Sequence, residues 1–395
     1  MKLMLRIVFL VISLAGCASP LCAQLLTQLD TTIYSTTKMI PTDRADLLKR
    51  MDLIFNIQYA NFNNFTNGKY SNTAYALKQF RLEVVGEVFD SVYFRFRDRY
   101  TRDPIPQTVD NTNLSVDMAL VEIRFSRKFG VTFGKMKTDY GGYEFDLNPI
   151  YIYQYNDLNA HFDDWEVGAS VAWKITRTQR VSFQLLNAQT GTFAQAYDSI
   201  PGVRLSKFPF ISVANWRGNF ANSRFNTCYS LSMIQEARNE YVYYLALGNQ
   251  LNLRRWLMEF DFKVNSENID RSGIVSGFVP ETYMPYRALN TTYIERWLHI
   301  KYSFVPNWWA VLTAYSNDAF WSGNPDPNRH DHLRTSYGLI PALEFNPYKK
   351  LSLKFFAAYV GRYYNYTGYA RKALGIANST TGIFEIGLMA PLVVL

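Results

Sequence analysis

The stretch KQFRLEVVGEVFDSVYFRFRDRY, residues Lys78–Tyr100, alternates polar and apolar side chains along two arms that meet at Asp90-Ser91. Successive side chains of a β-strand point to opposite faces, so this alternation predicts a β-hairpin with one apolar and one polar face. The second arm places aromatic rings on one face and guanidinium groups on the other: Phe94 and Phe96 against Arg95, Arg97 and Arg99. A soluble β-sandwich could contain such a hairpin, so the fold depends on whether the pattern recurs.

The same alternation recurs through the chain in roughly sixteen segments of about ten residues, the span of a tilted transmembrane strand. Long and short connections nearly alternate, as do the long extracellular loops and short periplasmic turns of outer-membrane barrels. We therefore predict an all-β fold, a single closed antiparallel transmembrane β-barrel of about 16 strands over residues 51–395. The side chains predicted to face outward include Phe80, Leu82, Val84, Phe94, Phe96, Met258 and Phe260.

Two connections fit this scheme less well. Residues 63–76 are rich in Asn, Gly and Tyr and are predicted to form a polar loop. The connection Glu236–Glu240 is short for its place on the extracellular side, which leaves the strand count open by one hairpin.

Composition supports a membrane barrel over a soluble protein. Aromatic residues make up 16% of the 395 residues and charged residues 19%, and aromatic girdles flank the apolar band of such barrels. A tyrosine-rich soluble β protein, such as a surface lectin, is the alternative. The formal net charge of +8 is small and dispersed, so no nucleic-acid partner is expected.

The N-terminus has the pattern of a secretory signal, with a basic start, an apolar run and small residues before Gln24. We predict a signal peptide over residues 1–23 and a periplasmic lead-in over residues 24–50. Leu14–Cys17 also fits a lipoprotein cleavage site, so lipidation of Cys17 stays open. Either cleavage leaves Cys228 as the only cysteine deep in the mature chain, which excludes a disulfide framework.

If the apolar faces meet lipid, the basic residues face the lumen, because arginine on the outer face at mid-membrane costs about 2–4 kcal/mol. The predicted pore-lining basic residues are Arg81, Arg95, Arg97, Arg99 and Lys137. The alternative is that these residues pair with Glu83, Glu87 and Glu122 and only hydrate the lumen. The loop 138–164 is a candidate constriction through Tyr140, Glu144 and Asp146, but the sequence does not decide whether it enters the pore.

Signals of catalysis are weak. His330 and His332 flank Asp331 in a polar loop, and two histidines without further placed ligands make a poor metal site. No phosphate-binding glycine loop and no nucleophile elbow are present. We expect neither enzymatic activity nor a cofactor, with a barrel hydrolase that uses an Asp/His pair as the minor alternative.

The segment Val131–Glu144, VTFGKMKTDYGGYE, resembles a motif of the phosphate-selective porin O/P family. The matching positions are Gly134, Lys137, Tyr140, Gly141 and Glu144. The resemblance implies a sixteen-stranded outer-membrane barrel, usually trimeric, that passes small anions along inward arginines and lysines.

The chain departs from the family pattern in three places. Asp139 stands where the family commonly has proline, and the chain ends in Leu395 where many barrels have an aromatic residue. Phe133, Lys135 and Lys137 would also share one face of a regular strand, which predicts either a bulge or an inward Phe133.

These observations together predict a porin of the cell outer membrane, surrounded by outer-membrane lipid, that allows passive diffusion of small solutes. A modest preference for anions such as phosphate would follow from the inward basic residues. The alternative is a lipid-anchored surface β protein that binds glycans or other ligands.

Overall fold

A computed structural model of the chain describes residues 48–88, 91–103, 109–348 and 351–394. The predicted signal peptide and the part of the predicted lead-in before Leu48 lie outside these residues. The first strand begins at Leu48. No helix in the described ranges is long and apolar enough to cross a membrane.

Sixteen antiparallel strands form one closed barrel, in which each strand pairs with its neighbours in sequence and the first pairs with the last. The predicted fold class is therefore confirmed. The strands are β1 Leu48–Thr66, β2 Lys69–Val88, β3 Val92–Arg99, β4 Val116–Arg124, β5 Phe129–Lys137, β6 Trp165–Lys174, β7 Gln179–Asn187, β8 Leu205–Phe220, β9 Phe225–Ala237, β10 Glu240–Asn252, β11 Trp256–Ile269, β12 Leu289–Val305, β13 Trp308–Trp321, β14 His332–Phe345, β15 Lys354–Tyr366 and β16 Ser379–Val393.

Short connections gather at one end of the barrel and most long ones at the other. The short connections are 89–91, 125–128, 175–178, 221–224, 253–255, 306–307 and 346–353. The other end, called here the loop end, carries 100–115, 138–164, 188–204, 270–288, 322–331 and 367–378 together with two tight turns. The described parts of these loops contain four short α-helices: α1 Tyr143–Asp146, α2 Asp157–His161, α3 Phe193–Tyr197 and α4 Gly368–Ala373.

The two faces of the strands follow the predicted alternation. On β11, Phe260 is 43% exposed on the outer surface, whereas the next residue, Asp261, is fully buried inside. On β3, Phe96 lies outside and Arg97 is buried inside. Phe80, Leu82, Val84 and Met258 each lie next to a buried residue, Phe94 shares a face with Phe96, and Arg95 contacts the inward Glu83.

The prediction of a polar loop over residues 63–76 is wrong. β1 and β2 continue through it to a two-residue turn at Asn67-Gly68, whose φ angles of +50° and +76° suit the type I′ turn of a tight hairpin. The side chains of Lys69–Leu77 are exposed on both faces, so this part of β2 lacks the apolar alternation that marks a lipid-facing strand.

The short connection after β9 does not reduce the strand count. Arg238 and Asn239 link β9 directly to β10, and Asn239 adopts a φ of +66°. This tight turn lies at the loop end, and the count stays at sixteen.

Candidate functional site

The loop 138–164 folds into the barrel lumen. Tyr140 is fully buried, and its ring lies 5.1 Å from that of Phe162 and 5.6 Å from that of Tyr244 on the inner wall of β10. Phe145 joins the same cluster at 5.5 Å from Tyr140. Aromatic pairs at these separations stabilise their contact, so the cluster holds the loop against the wall.

Two glycines allow the loop to reach the wall. Gly141 and Gly142 have φ angles of +75° and +82°, a region that disfavours other residues. A Cβ atom on Gly141 would lie 2.7 Å from Oγ of Ser230, and one on Gly142 would lie 2.8 Å from Oδ2 of Asp261. The loop backbone therefore lies directly against β9 and β11.

A buried charge cluster joins the loop to β11 and β12. The Lys263 ammonium lies 2.7 Å from Glu144 of the loop and 2.9 Å from Glu295, and all three side chains are almost fully buried. Glu295 also accepts the backbone N–H of Leu158 at 3.1 Å. Asp261 accepts the backbone N–H groups of Tyr143 and Glu144 at 2.7 and 2.9 Å. Tyr140 and Glu144 thus hold the loop in place from its buried side.

A second contact joins the loop to β8. Arg217 pairs with Asp139 at 2.6 Å and with Asp146, and Lys137 lies 3.4 Å from Asp146. Burial opposes the negative charge of Asp146, but Arg217 and Lys137 outweigh it and hold the pKa of Asp146 below its usual range. Asp146 is therefore ionised at neutral pH and paired with the side chains of Arg217 and Lys137.

A third contact lies at α2. Asp157 accepts hydrogen bonds from Arg334 and from the Ser336 hydroxyl, both at 2.6 Å, and also pairs with Arg362. These three partners lie on β14 and β15. The loop is thus held on several sides of the lumen.

The four predicted pore-lining arginines lie together on the inner wall of β2 and β3 and share two carboxylates. Arg95 contacts Glu83 at 2.6 Å, and Arg99 contacts Asp117 at 2.8 Å. Further from water, Arg81 and Arg97 each lie 3.3 Å from Asp117. Arg97 also lies over the Trp165 ring, 4.3 Å from its centroid, which is the geometry of a cation–π contact.

These arginines differ in their access to water. The side chains of Arg95 and Arg99 are 22% and 20% exposed, whereas those of Arg81 and Arg97 are 2% and 4% exposed. Arg95 and Arg99 are therefore the two with the greater exposure to the lumen. Arg81 and Arg97 lie behind them in the ion-pair network.

Lys137 lies inside the lumen, where its ammonium donates to the carbonyl of Phe145. Phe133 on the same strand is 52% exposed on the outer face. Gly134, with a φ of +113°, lies between them, and a Cβ atom there would overlap the carbonyl oxygen of Ala119. No register shift interrupts the pairing of β5 with β4 or β6 at Gly134, and the prediction of an inward Phe133 is wrong.

His330 and His332 each contact another side chain. The His330 ring packs on Tyr369 with centroids 5.6 Å apart, and His332 lies 3.1 Å from the Thr335 hydroxyl. Among the residues that the structure describes, no group of three or more His, Cys, Asp or Glu side chains could hold a metal ion.

Sequence reasoning missed the wall residues that bind the loop. Their shared signal is a charged side chain on the inward face of a predicted strand, as for Asp261 and Lys263, which alternate with the outward Phe260 and Phe262. The sequence does not say which strand meets the loop, because the pairing depends on how far the loop crosses the lumen. The missed residues are Arg217, Asp261, Lys263, Glu295, Arg334 and Arg362.

Comparison with known proteins gives one family and a set of solved barrels. Residues 50–389 match the family described as phosphate-selective porin O and P. No curated protein matches the chain.

Three solved structures illustrate the similarity of fold. The outer membrane channel DcaP of Acinetobacter baumannii is 10% identical with a TM-score of 0.58, covering 88% of this chain and 100% of that one. The anion-selective porin from Comamonas acidovorans is 11% identical with a TM-score of 0.55, covering 87% and 100%. The trimer form of OmpT, an outer membrane protein of Vibrio cholerae, is 9% identical with a TM-score of 0.54, covering 87% and 99%.

Proposed function

Because the chain belongs to the phosphate-selective porin O and P family, and is thus an outer-membrane porin that prefers anions, we propose that Arg95 and Arg99 set this preference. In the same proposal, the folded loop 138–164 narrows the path and Lys137 contributes positive charge beside it. Small solutes cross by passive diffusion. An apolar outer surface on a closed barrel does not fit the alternative of a soluble surface β protein.

The observation that carries the proposal is the access of Arg95 and Arg99 to the lumen. Fixed charge concentrates the opposite ion within about one Debye length, roughly 10 Å at 0.1 M salt. A guanidinium can bind phosphate or carboxylate through two parallel N–H groups and stays charged at any working pH. Arg81 and Arg97 then act as support, because they hold Glu83 and Asp117 in ion pairs.

The carboxylates of the loop 138–164 weaken the preference for anions less than their number suggests. Asp139 and Asp146 pair with Arg217, Glu144 pairs with Lys263, and Asp157 pairs with Arg334. A paired and buried carboxylate repels a passing anion less than a free one, because its counter-charge lies beside it.

A planar-bilayer recording in a salt gradient tests the proposal. We expect the double substitution Arg95→Gln and Arg99→Gln to shift the reversal potential toward that of a non-selective pore, with conductance largely kept. The matched control is Arg254→Gln and Arg255→Gln, which removes two exposed arginines at the turn 253–255. An unchanged reversal potential in the first variant, or an equal shift in the control, would contradict the role of Arg95 and Arg99.

The assembly proposed for the chain is a homotrimer, supported by the trimer form of the structurally similar Vibrio cholerae protein. Multi-angle light scattering of the purified protein in detergent checks it, with three chains expected per particle. A monomer at all protein concentrations would contradict the trimer and leave the pore proposal intact.

A further inference from the structure

The outer surface of β12–β15 changes from apolar to polar along one row of paired residues. Arg296, Ser316, Tyr337 and Tyr363 are cross-strand neighbours in this row. On the side away from the loop end, the adjacent outward residues are apolar: Leu298, Ala314, Leu339 and Gly361. On the side toward the loop end, they are mostly polar and include Asp318, Thr335 and Asn365.

The row therefore marks one interface between the apolar band and the headgroup region. Tyr337 and Tyr363 are exposed and stacked, with ring centroids 6.5 Å apart, as expected for an aromatic girdle. Arg296 lies at the border, next to the apolar band.

A groove of about 760 Å³ opens on this surface. Its outward lining includes Leu298, Ala314 and Gly361 on the apolar side and Arg296, Ser316 and Tyr363 on the polar side. The groove thus offers an apolar floor that ends at a cation and two hydroxyl groups. This volume lies in the range of protein sites for small ligands.

Arg296 has hydrogen-bonding capacity to spare. Its Nη1 lies 2.8 Å from Asp318 Oδ2 and 3.4 Å from the Ser316 hydroxyl, and the side chain is 44% exposed. Nε and Nη2 have no partner among the residues that the structure describes. A charged side chain on the outer face of a barrel is unfavourable without a polar partner, and the bilayer supplies one through the phosphates of its lipids.

We propose that this groove binds one membrane lipid whose headgroup carries a phosphate. The phosphate accepts hydrogen bonds from Nε and Nη2 of Arg296, with the hydroxyls of Ser316 and Tyr363 nearby, and an acyl chain lies along Leu298, Ala314 and Gly361. A flexible acyl chain can fill a concave surface between projecting tyrosine rings, whereas the rigid wall of a second barrel would leave it empty. The lipid site does not depend on which residues select the permeating ion.

Native mass spectrometry of the full chain in detergent tests the site, with phosphatidylglycerol as the probe and diacylglycerol of the same acyl chains as the phosphate-free control. We expect the protein to retain phosphatidylglycerol and not diacylglycerol. Arg296→Gln should lower the lipid-bound fraction at least fivefold. Ala314→Phe, which fills the apolar part of the groove without a change of charge, should also lower the lipid-bound fraction at least fivefold.

The control is Arg255→Gln, which removes an exposed arginine in the connection 253–255, at the end of the barrel opposite the loop end, and should retain lipid as the native chain does. Equal retention by Arg296→Gln and Arg255→Gln would overturn the site. Full displacement of the lipid by millimolar inorganic phosphate would show a simple anion site and would also overturn it. So would a change of oligomeric state in both groove variants, because that result assigns the surface to contact between copies of the chain.

Discussion

Lys263 is surrounded by carboxylates, with Glu144 at 2.7 Å, Glu295 at 2.9 Å and Asp261 at 3.8 Å. Lys263→Met removes the positive charge and leaves these carboxylates buried, which costs about 3–5 kcal/mol when one partner of a buried pair is lost. We expect a lower unfolding temperature and a larger single-channel conductance, because the loop loses its hold on β11. The exposed Lys128→Met is the control, and an unchanged conductance in Lys263→Met would show that other contacts suffice.

Gly141 allows a comparison that separates backbone strain from steric overlap. Gly141 and Gly202 have similar φ angles of +75° and +80°, but only at Gly141 would a Cβ atom meet the wall, 2.7 Å from Oγ of Ser230. Alanine at either position costs about 1–2 kcal/mol for the left-handed backbone. We expect Gly141→Ala to lower the free energy of unfolding in urea more than Gly202→Ala does and to increase conductance. If the two substitutions lowered the free energy of unfolding equally, the loop would be able to move away from β9 without a loss of stability.

The positions of most strands could be predicted from the sequence, because the outward and inward faces of a lipid-exposed strand differ in chemistry. The β1–β2 tip could not be recognised by this rule, since both faces of Lys69–Leu77 meet water. Its turn carries a local signal, Asn67-Gly68, which favours a tight hairpin. The position of the loop 138–164 could not be predicted, because its contacts with Lys263, Arg217 and Arg334 join residues far apart in the chain.

The ion pair between Asp146 and Arg217 should persist over a wide pH range. The folded-state pKa of Asp146 lies below the value of about 3.9 for an unfolded aspartate. Its ion pair with Arg217 therefore contributes fully above about pH 4 and is lost as pH falls through the folded-state pKa. We expect conductance to rise as the pH falls below about 4, because this ion pair is then lost. Asp146→Asn should conduct more at neutral pH and lack this acidic rise, and an acidic rise of the native size in Asp146→Asn would contradict the assignment.

The proposed function places selection by charge and restriction by width in different parts of the barrel. Arg95 and Arg99 lie on β3, whereas Lys263 lies on β11, and these strands are not neighbours in the barrel. Substitutions at well-separated sites with no shared partner usually have additive effects. The two properties should therefore change independently.

A combined variant tests this independence. Arg95→Gln with Arg99→Gln should alter the reversal potential and leave the permeation of a neutral sugar unchanged in a liposome-swelling assay. Lys263→Met should increase sugar permeation and keep the sign of the reversal potential, and the triple variant should show both effects. The shift caused by the arginine substitutions should shrink in 1 M salt, where the Debye length falls to about 3 Å. If Lys263→Met alone abolished the anion preference, the charges of the displaced loop, and not the wall of β3, would control which ions pass.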